Sequence, residues 1–179
     1  MGVHVSAHER FRFKTLDEIR SKATEMGLDL EFDEDLSPLA QPVRFGDLTA
    51  PNALIVHPME GCDGERDGRP GELMIRRYER FARGGAGLLW FEATAVEHAG
   101  RANPRQLTIT SQTLPHIKAM LEHTLDLARE ANSPDFRPVT VLQLTYSGRY
   151  SKPDGVRAPV LAHHDGVLDK HMGIPADHP

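Results

Sequence analysis

Apolar and polar positions change period along this chain, and each change marks an element. Between residues 14 and 27, Leu16, Ile19, Ala23 and Met26 recur at three- and four-residue steps, the spacing of one helix face. Thr15 and Glu18 stand ahead of that stripe in T-x-x-E order, and Gly27 follows it. Those are the signals of a capping box and a helix stop. The acidic stretch from Asp29 to Leu39 ends in Ser37-Pro38 and reads as a connector. Residues 1–40 therefore read as an arm packed on a main domain, 41–179.

From Pro42 the periods alternate. Val43 to Leu48 switches every residue, as one arm of a small hairpin would. Ala53 to Met59 (ALIVHPM) predicts a short buried strand. Glu72 to Arg83 predicts a helix, with Leu73, Arg77, Tyr78 and Phe81 at helical spacing and Gly84-Gly85 as its stop. Gly87 to Val96 (GLLWFEATAV) predicts a second buried strand. Thr113 and Pro115 open a long helix whose inner stripe is Ile117, Leu121, Leu125 and Ala128. Val139 to Leu144 (VTVLQL) predicts a third strand. Beyond Tyr150, prolines at 153, 159, 175 and 179 come without strong periodicity.

Strands alternating with helices imply a parallel sheet with right-handed crossovers. Such a sheet closes as a doubly wound layer or as a (β/α)8 TIM barrel. The dinucleotide-binding version of the first wants G-x-G-x-x-G after the first strand. Here that strand runs into Pro58-Met59-Glu60-Gly61-Cys62-Asp63-Gly64, and the Gly84 to Gly87 cluster precedes a strand instead. The α/β barrel is the better fit. A barrel takes about 250 residues, and about 140 follow the arm. The expected content is an N-terminal arm and about the first three barrel strands.

Composition narrows function. Of the 179 residues, 39% are hydrophobic and 26% charged, enough for a core, and the net charge is −5. That balance argues against nucleic acid as a partner, since such binders rely on a basic surface. No apolar run approaches the roughly 18 residues that span a bilayer, so no membrane partner is expected. The opening MGVHVSAHERFRFK lacks the apolar stretch of a signal peptide, and Gly2 with Ser6 makes an incomplete myristoylation signal. A cytoplasmic location is expected. Cys62 is the single cysteine, which excludes an internal disulfide or a CxxC pair.

In a barrel, chemistry sits at the C-terminal strand ends. That selects Pro58-Met59-Glu60-Gly61, Glu92-Ala93-Thr94 and Gln143-Leu144-Thr145-Tyr146. A glutamine there offers a donor and an acceptor, matching a flat heteroaromatic ring, and it equally reads as a satisfied buried amide. Ala93 and Gly61 are small enough to let a planar ligand approach, or simply to pack. Asp63, Glu65, Asp67 and Gly68 resemble the start of a calcium loop. Position 12 of that loop, where a bidentate glutamate belongs, is Met74, so a solvated acidic loop is the better reading. His163, His164, His171 and His178 lack tight ligand spacing and read as surface or lid histidines. No metal site is assigned. Cys62 has acidic neighbours, which raise a thiol pKa, and reads as a plain thiol.

Taken together, the strand ends resemble the Old Yellow Enzyme family of FMN-dependent oxidoreductases. The matching pieces are Pro58-Met59, Asp67-Gly68, Tyr78 with Gly84 to Leu88, Glu92 to Val96, Gly100-Arg101, and Gln143-Leu144 with Gly148-Arg149, in family order from about Pro42 to Pro159. The wording PMEGCDG and QLTYSGRYSKP is similar to a bacterial branch described broadly as NADH:flavin oxidoreductases. The resemblance implies an eight-stranded barrel with FMN across its mouth. By it, Pro58, Met59 and the backbone of Glu60 line the flavin, Ala93 sits beside the polar edge of the ring, and Gln143 bonds the pyrimidine end. It implies that NAD(P)H reduces the flavin, which passes hydride to a small-molecule acceptor such as an activated alkene. The family often has threonine or cysteine where this chain has Glu60, and histidine where it has Tyr146.

No catalytic residue is assigned. The substrate-holding pair of strand four and the phosphate site near strands seven and eight are expected beyond these residues. The chain alone is accordingly expected to be inactive, to bind FMN poorly, and to associate through uncovered edges, with a homo-oligomer as one outcome. Two other readings stand beside the flavoprotein. One is a non-catalytic half-barrel serving as a binding or structural module. The other is a metal-dependent barrel hydrolase, for which only Glu60 and Glu92 lie near the expected strand ends.

Overall fold

The computed structural model describes residues 10–178. The Gly2 and Ser6 reading and the last proline lie outside them. The chain divides into two units, one ending at Leu36 and the other beginning at Ser37.

In the first unit, helix α1 spans Leu16–Glu25. Its start is the expected capping box. The Thr15 hydroxyl accepts from the Glu18 amide (3.3 Å), and the Glu18 carboxylate accepts from the Thr15 amide (3.4 Å). Its end is a Schellman turn, with Gly27 at φ 67° and the Leu28 amide donating back to the Ala23 carbonyl at 2.9 Å. The stripe is narrower than its spacing predicted: Ala23 is buried, but Met26 is 60% exposed.

The second unit opens with a single turn of helix, α2 (Ser37–Ala40), inside the stretch read as a connector. Val43 to Leu48 holds more than one hairpin arm. Strands β1 (Val43–Phe45) and β2 (Leu48–Ala50) pair antiparallel around Gly46-Asp47. Gly46 takes φ 59° while Asp47 stays negative, the backbone pattern of a type II′ turn.

The remaining strands form one parallel sheet in the order β3–β4–β5. They are β3 (Ile55–Val56), β4 (Leu88–Ala95) and β5 (Val139–Thr145). Helix α3 (Glu72–Arg83) joins β3 to β4, and α4 (Leu114–Ala131) joins β4 to β5. Both crossovers run between parallel neighbours, as the alternating pattern required. The core is formed by Leu89 and Phe91 of β4, Met74 and Tyr78 of α3, Met120 of α4, and Leu107. Tyr78 stacks on Phe91 with ring centroids 4.4 Å apart.

Three expectations need correction. The first sheet strand is two residues long rather than seven, and Leu54, Ile55 and Met59 are 44%, 45% and 73% exposed. Among the described residues it is an edge strand with one neighbour. Leu73 points outward at 54% exposure, because the buried phase of α3 is Met74, Tyr78 and Ala82. The proline-rich tail holds a further helix, α5 (Gly166–Met172), capped by the Asp165 carboxylate and stopped by Gly173 at φ 66°. Seven residues are too few to display a period, but its two caps were readable.

Candidate functional site

The three strand ends come together because the strands are parallel neighbours. Between them the pairing slips: Phe91 faces Leu142 and Thr94 faces Leu144. Glu92 and Ala93 thus oppose the single residue Gln143, a β-bulge. Bulges re-aim side chains, and this one sits where the resemblance placed the ring's polar edge. Side chains alternate across a strand, so Gln143 lies on the face opposite Leu142, together with Val141 and its partner Trp90. Leu142 packs into the core, so Gln143 is on the face that α3 and α4 leave bare. Its half-buried amide makes no hydrogen bond among the described residues. Ala93 is half-buried, and its carbonyl accepts from Gln106 Nε2 at 3.2 Å.

Pro58 and Glu60 are half-buried on the loop leaving β3, and Met59 is exposed. The Glu60 carboxylate is engaged sideways, by Asn103 Nδ2 and by Gln106 Nε2 (3.4 Å). Its backbone is therefore what remains for a ligand. Gln106 is 1% exposed. Its side chain ties the β3 loop to the bulge, and its Oε1 accepts from the Ala102 amide at 2.6 Å. The loop carrying Gln106 is held by Arg101, also 1% exposed, whose guanidinium donates to the carbonyls of Arg66 (2.8 Å), Pro104 (2.6 Å) and Gln106 (2.7 Å). Sequence reasoning missed Asn103 and Gln106. Polar residues in an irregular segment carry no period, and only the fold brings them to Glu60.

Beneath the β3 loop lies a buried charge cluster. Arg77 Nη2 reaches Glu92 Oε2 at 2.5 Å and Asp63 Oδ1 at 3.0 Å. The Glu92 amide donates to the Tyr78 hydroxyl at 2.8 Å. Glu92 is fully buried, and burial pushes its carboxyl up to about 7 although Arg77 pulls the other way. Burial, and then the charge of Glu92, raises the Tyr78 phenol. The Arg77 guanidinium passes directly over Gly61, where any Cβ would collide with it. So Gly61 serves close packing of an arginine rather than a ligand. Cys62 has φ 51°, the one positive value at a non-glycine among the described residues. Its thiol is exposed and raised, by partial burial and then by Glu60.

Several of the other candidates have local partners. Asp63 pairs with Arg77, and Asp67 with Arg69 at 2.7 Å. His164 bridges Asp169 Oδ2 (2.7 Å) and the His178 carbonyl (2.9 Å). Tyr146 stands over Gly100, where a Cβ would meet its ring at 2.7 Å. Among the described residues no group of three or more His, Cys, Asp or Glu side chains is placed to hold a metal ion. None of their helices is long and apolar enough to cross a membrane.

No protein-family model matches the chain. An NADPH dehydrogenase of Halalkalibacterium halodurans is 31% identical over 126 residues, covering 69% of this chain and 33% of the relative. The old yellow enzyme from Trypanosoma cruzi superposes with a TM-score of 0.51 at 26% identity, over 66% of this chain and 29% of that one. The matched part of this chain is similar in sequence and fold to that old yellow enzyme. A 2-naphthoyl-CoA reductase superposes with a TM-score of 0.55 over 65% of this chain and 17% of its own; at 17% identity it speaks to fold alone. The parallel sheet that the Old Yellow Enzyme resemblance implied is present as β3–β4–β5. This chain spans about one third of the length of its curated relative.

Proposed function

We propose that this chain carries the flavin-edge strands of an FMN-dependent oxidoreductase of Old Yellow Enzyme type, the first three of a (β/α)8 barrel. Bound FMN would supply hydride transfer from NAD(P)H to a small-molecule acceptor such as an activated alkene. The observation that carries the reading is Gln143, a half-buried strand-end amide on the bare sheet face whose donors and acceptor are unengaged among the described residues. Such a group fits the pyrimidine edge of a flavin, which presents both an acceptor and a donor. The bulge puts the small Ala93 opposite Gln143, leaving room for the plane of the ring. Pro58, Met59 and the Glu60 backbone would form the adjoining wall. Gln106 and Arg101 would hold that wall in place, and neither would touch the ring.

The test is a flavin-fluorescence titration of the chain with FMN and with riboflavin. Residues that would hold the phosphate are not among those named, so the two ligands are expected to bind weakly and alike. Gln143→Leu leaves ring groups unpaired at about 1–3 kcal/mol each, so affinity should fall by roughly one to two decades. Unchanged affinity in that variant would remove Gln143 from the site. No turnover of NAD(P)H is expected from this chain alone. A non-catalytic half-barrel module is the second reading, favoured by the edges of β3 and β5 that are unpaired among the described residues; absence of any flavin binding would select it.

A further inference from the structure

The segment that follows β5 lines a half-open cavity outside the flavin reading and independent of it. Its volume is about 290 Å³, at the lower end of ligand pockets. Arg149, Arg157 and His178 supply its polar lining, and Met172, Ile174 and Pro175 an apolar wall. Among the described residues no acidic side chain lines it.

The two arginines are not equivalent. Arg149 is half of a buried ion pair with Asp169, and its Nη2 donates to the His163 carbonyl at 2.8 Å. Its charge is offset and its position fixed. Arg157 donates through Nη1 to the Met172 carbonyl at 2.8 Å, the last residue of α5. Arg157 is an exposed side chain, and among the described residues its Nε and Nη2 are unengaged. No carboxylate among the described residues lies within ion-pair distance of Arg157. His178 Nε2 faces the Pro159 carbonyl at 2.8 Å, so Nε2 carries a proton there, and Nδ1 has no partner among the described residues.

We propose that this cavity binds a small monocarboxylate with a compact apolar body, anchored by Arg157. A guanidinium offers a planar donor fork that matches a carboxylate in shape as well as charge. The wall of Met172, Ile174 and Pro175 would cover the apolar body, which a bare inorganic anion lacks. One uncompensated guanidinium suits a monoanion better than a dianion. The volume takes a ligand of benzoate size and cannot enclose a dinucleotide.

The experiment is a ligand-observed saturation-transfer NMR titration of the 179-residue chain with benzoate. Benzamide serves as the uncharged shape match and inorganic phosphate as a competitor. Saturable benzoate binding is expected, with benzamide weaker by roughly tenfold or more and phosphate unable to displace benzoate at equal concentration. Arg157→Gln should weaken benzoate by roughly tenfold, and Arg157→Lys should recover part of that loss. Circular dichroism checks that the variants fold. Should Arg157→Gln fail to fold, Met172→Glu places a carboxylate in the wall and should exclude benzoate by repulsion. Any of three results overturns the proposal: no saturable benzoate binding, equal binding of benzamide, or displacement by phosphate as effective as by benzoate. Undiminished benzoate binding in both Arg157→Gln and Met172→Glu would also overturn it. Flavin is absent from every arm, so failure here leaves the flavin reading untouched.

Discussion

On one face of the β3–β4–β5 sheet, Leu89 and Phe91 are 0% and 3% exposed beneath α3 and α4; on the other, Ile55 is 45% and Trp90 37% exposed. The same strand, β4, supplies both extremes from adjacent residues. The covered face has the chemistry of a finished core, with Met74, Tyr78 and Met120 filling it from the helices. The bare face is apolar at Ile55, Trp90 and Val141 and turns polar at Gln143, toward the strand ends. A closed barrel buries such a face as its interior. Folding of this unit therefore rests on the helix side, and the proposed flavin contacts lie on the other.

The sharpest way to break that distinction is to truncate one residue on each face. Phe91→Ala removes a buried ring stacked on Tyr78 and should cost about 3–5 kcal/mol, the range for a large core aromatic. Trp90→Ala removes a larger side chain and should cost about 1 kcal/mol or less, because solvent already reaches it. Urea unfolding midpoints measure both. Equal losses would mean that the two faces contribute alike to stability.

The buried carboxyl of Glu92 separates the sides by pH. Its folded-state value is raised to about 7 from an ordinary 4.5. Below the lower value both states hold the proton and the contribution is fully present. Between them the unfolded chain ionises while the folded one stays protonated, so stability falls as pH rises, by about 1.4 kcal/mol per unit at most. Above the folded value the loss is complete, about 3 kcal/mol as an upper bound. Unfolding midpoints measured from pH 4.5 to 7.5 should decline in the wild type. Glu92→Gln keeps a neutral side chain of the same shape at every pH, so it should abolish that slope. A slope surviving in Glu92→Gln would assign it to another group.

Legibility in the sequence followed the same division. The covered face was readable because burial imposes a period: β4, α3 and β5 stand within a residue of their expected bounds, and α4 begins where expected. Caps were readable as well, since Thr15, Glu18 and Gly27 act through local backbone geometry. The short β3 was not, because ALIVHPM is apolar enough for a buried strand whether or not a second neighbour covers it. The strand ends followed from the barrel reading, and their supports were invisible. Glu60 meets Asn103 and Gln106 more than forty positions away, and Arg77 meets Glu92 across a helix–strand crossover. Such pairs depend on the topology, and spacing in one sequence does not encode them.

The smallest expected effect on folding concerns the edge of the bare face. Ile55 sits on a two-residue strand that pairs with β4 on one side only, and Leu54 beside it is 44% exposed. An open strand edge with exposed apolar side chains is a template for another chain. Self-association is therefore expected at micromolar concentration, measurable by sedimentation velocity. Ile55→Lys places a charge where natural edges carry one and removes little buried area, so the unfolding midpoint should move by only about 0.5 kcal/mol. The association midpoint should rise by roughly tenfold, about 1.4 kcal/mol per contact. Trp90→Ala, on the same face but away from the edge, should shift association less than Ile55→Lys if edge pairing drives it. The reverse order would assign the contact to face-to-face packing. A wild-type chain that stays monomeric at high concentration would mean that the described edges are not adhesive at all.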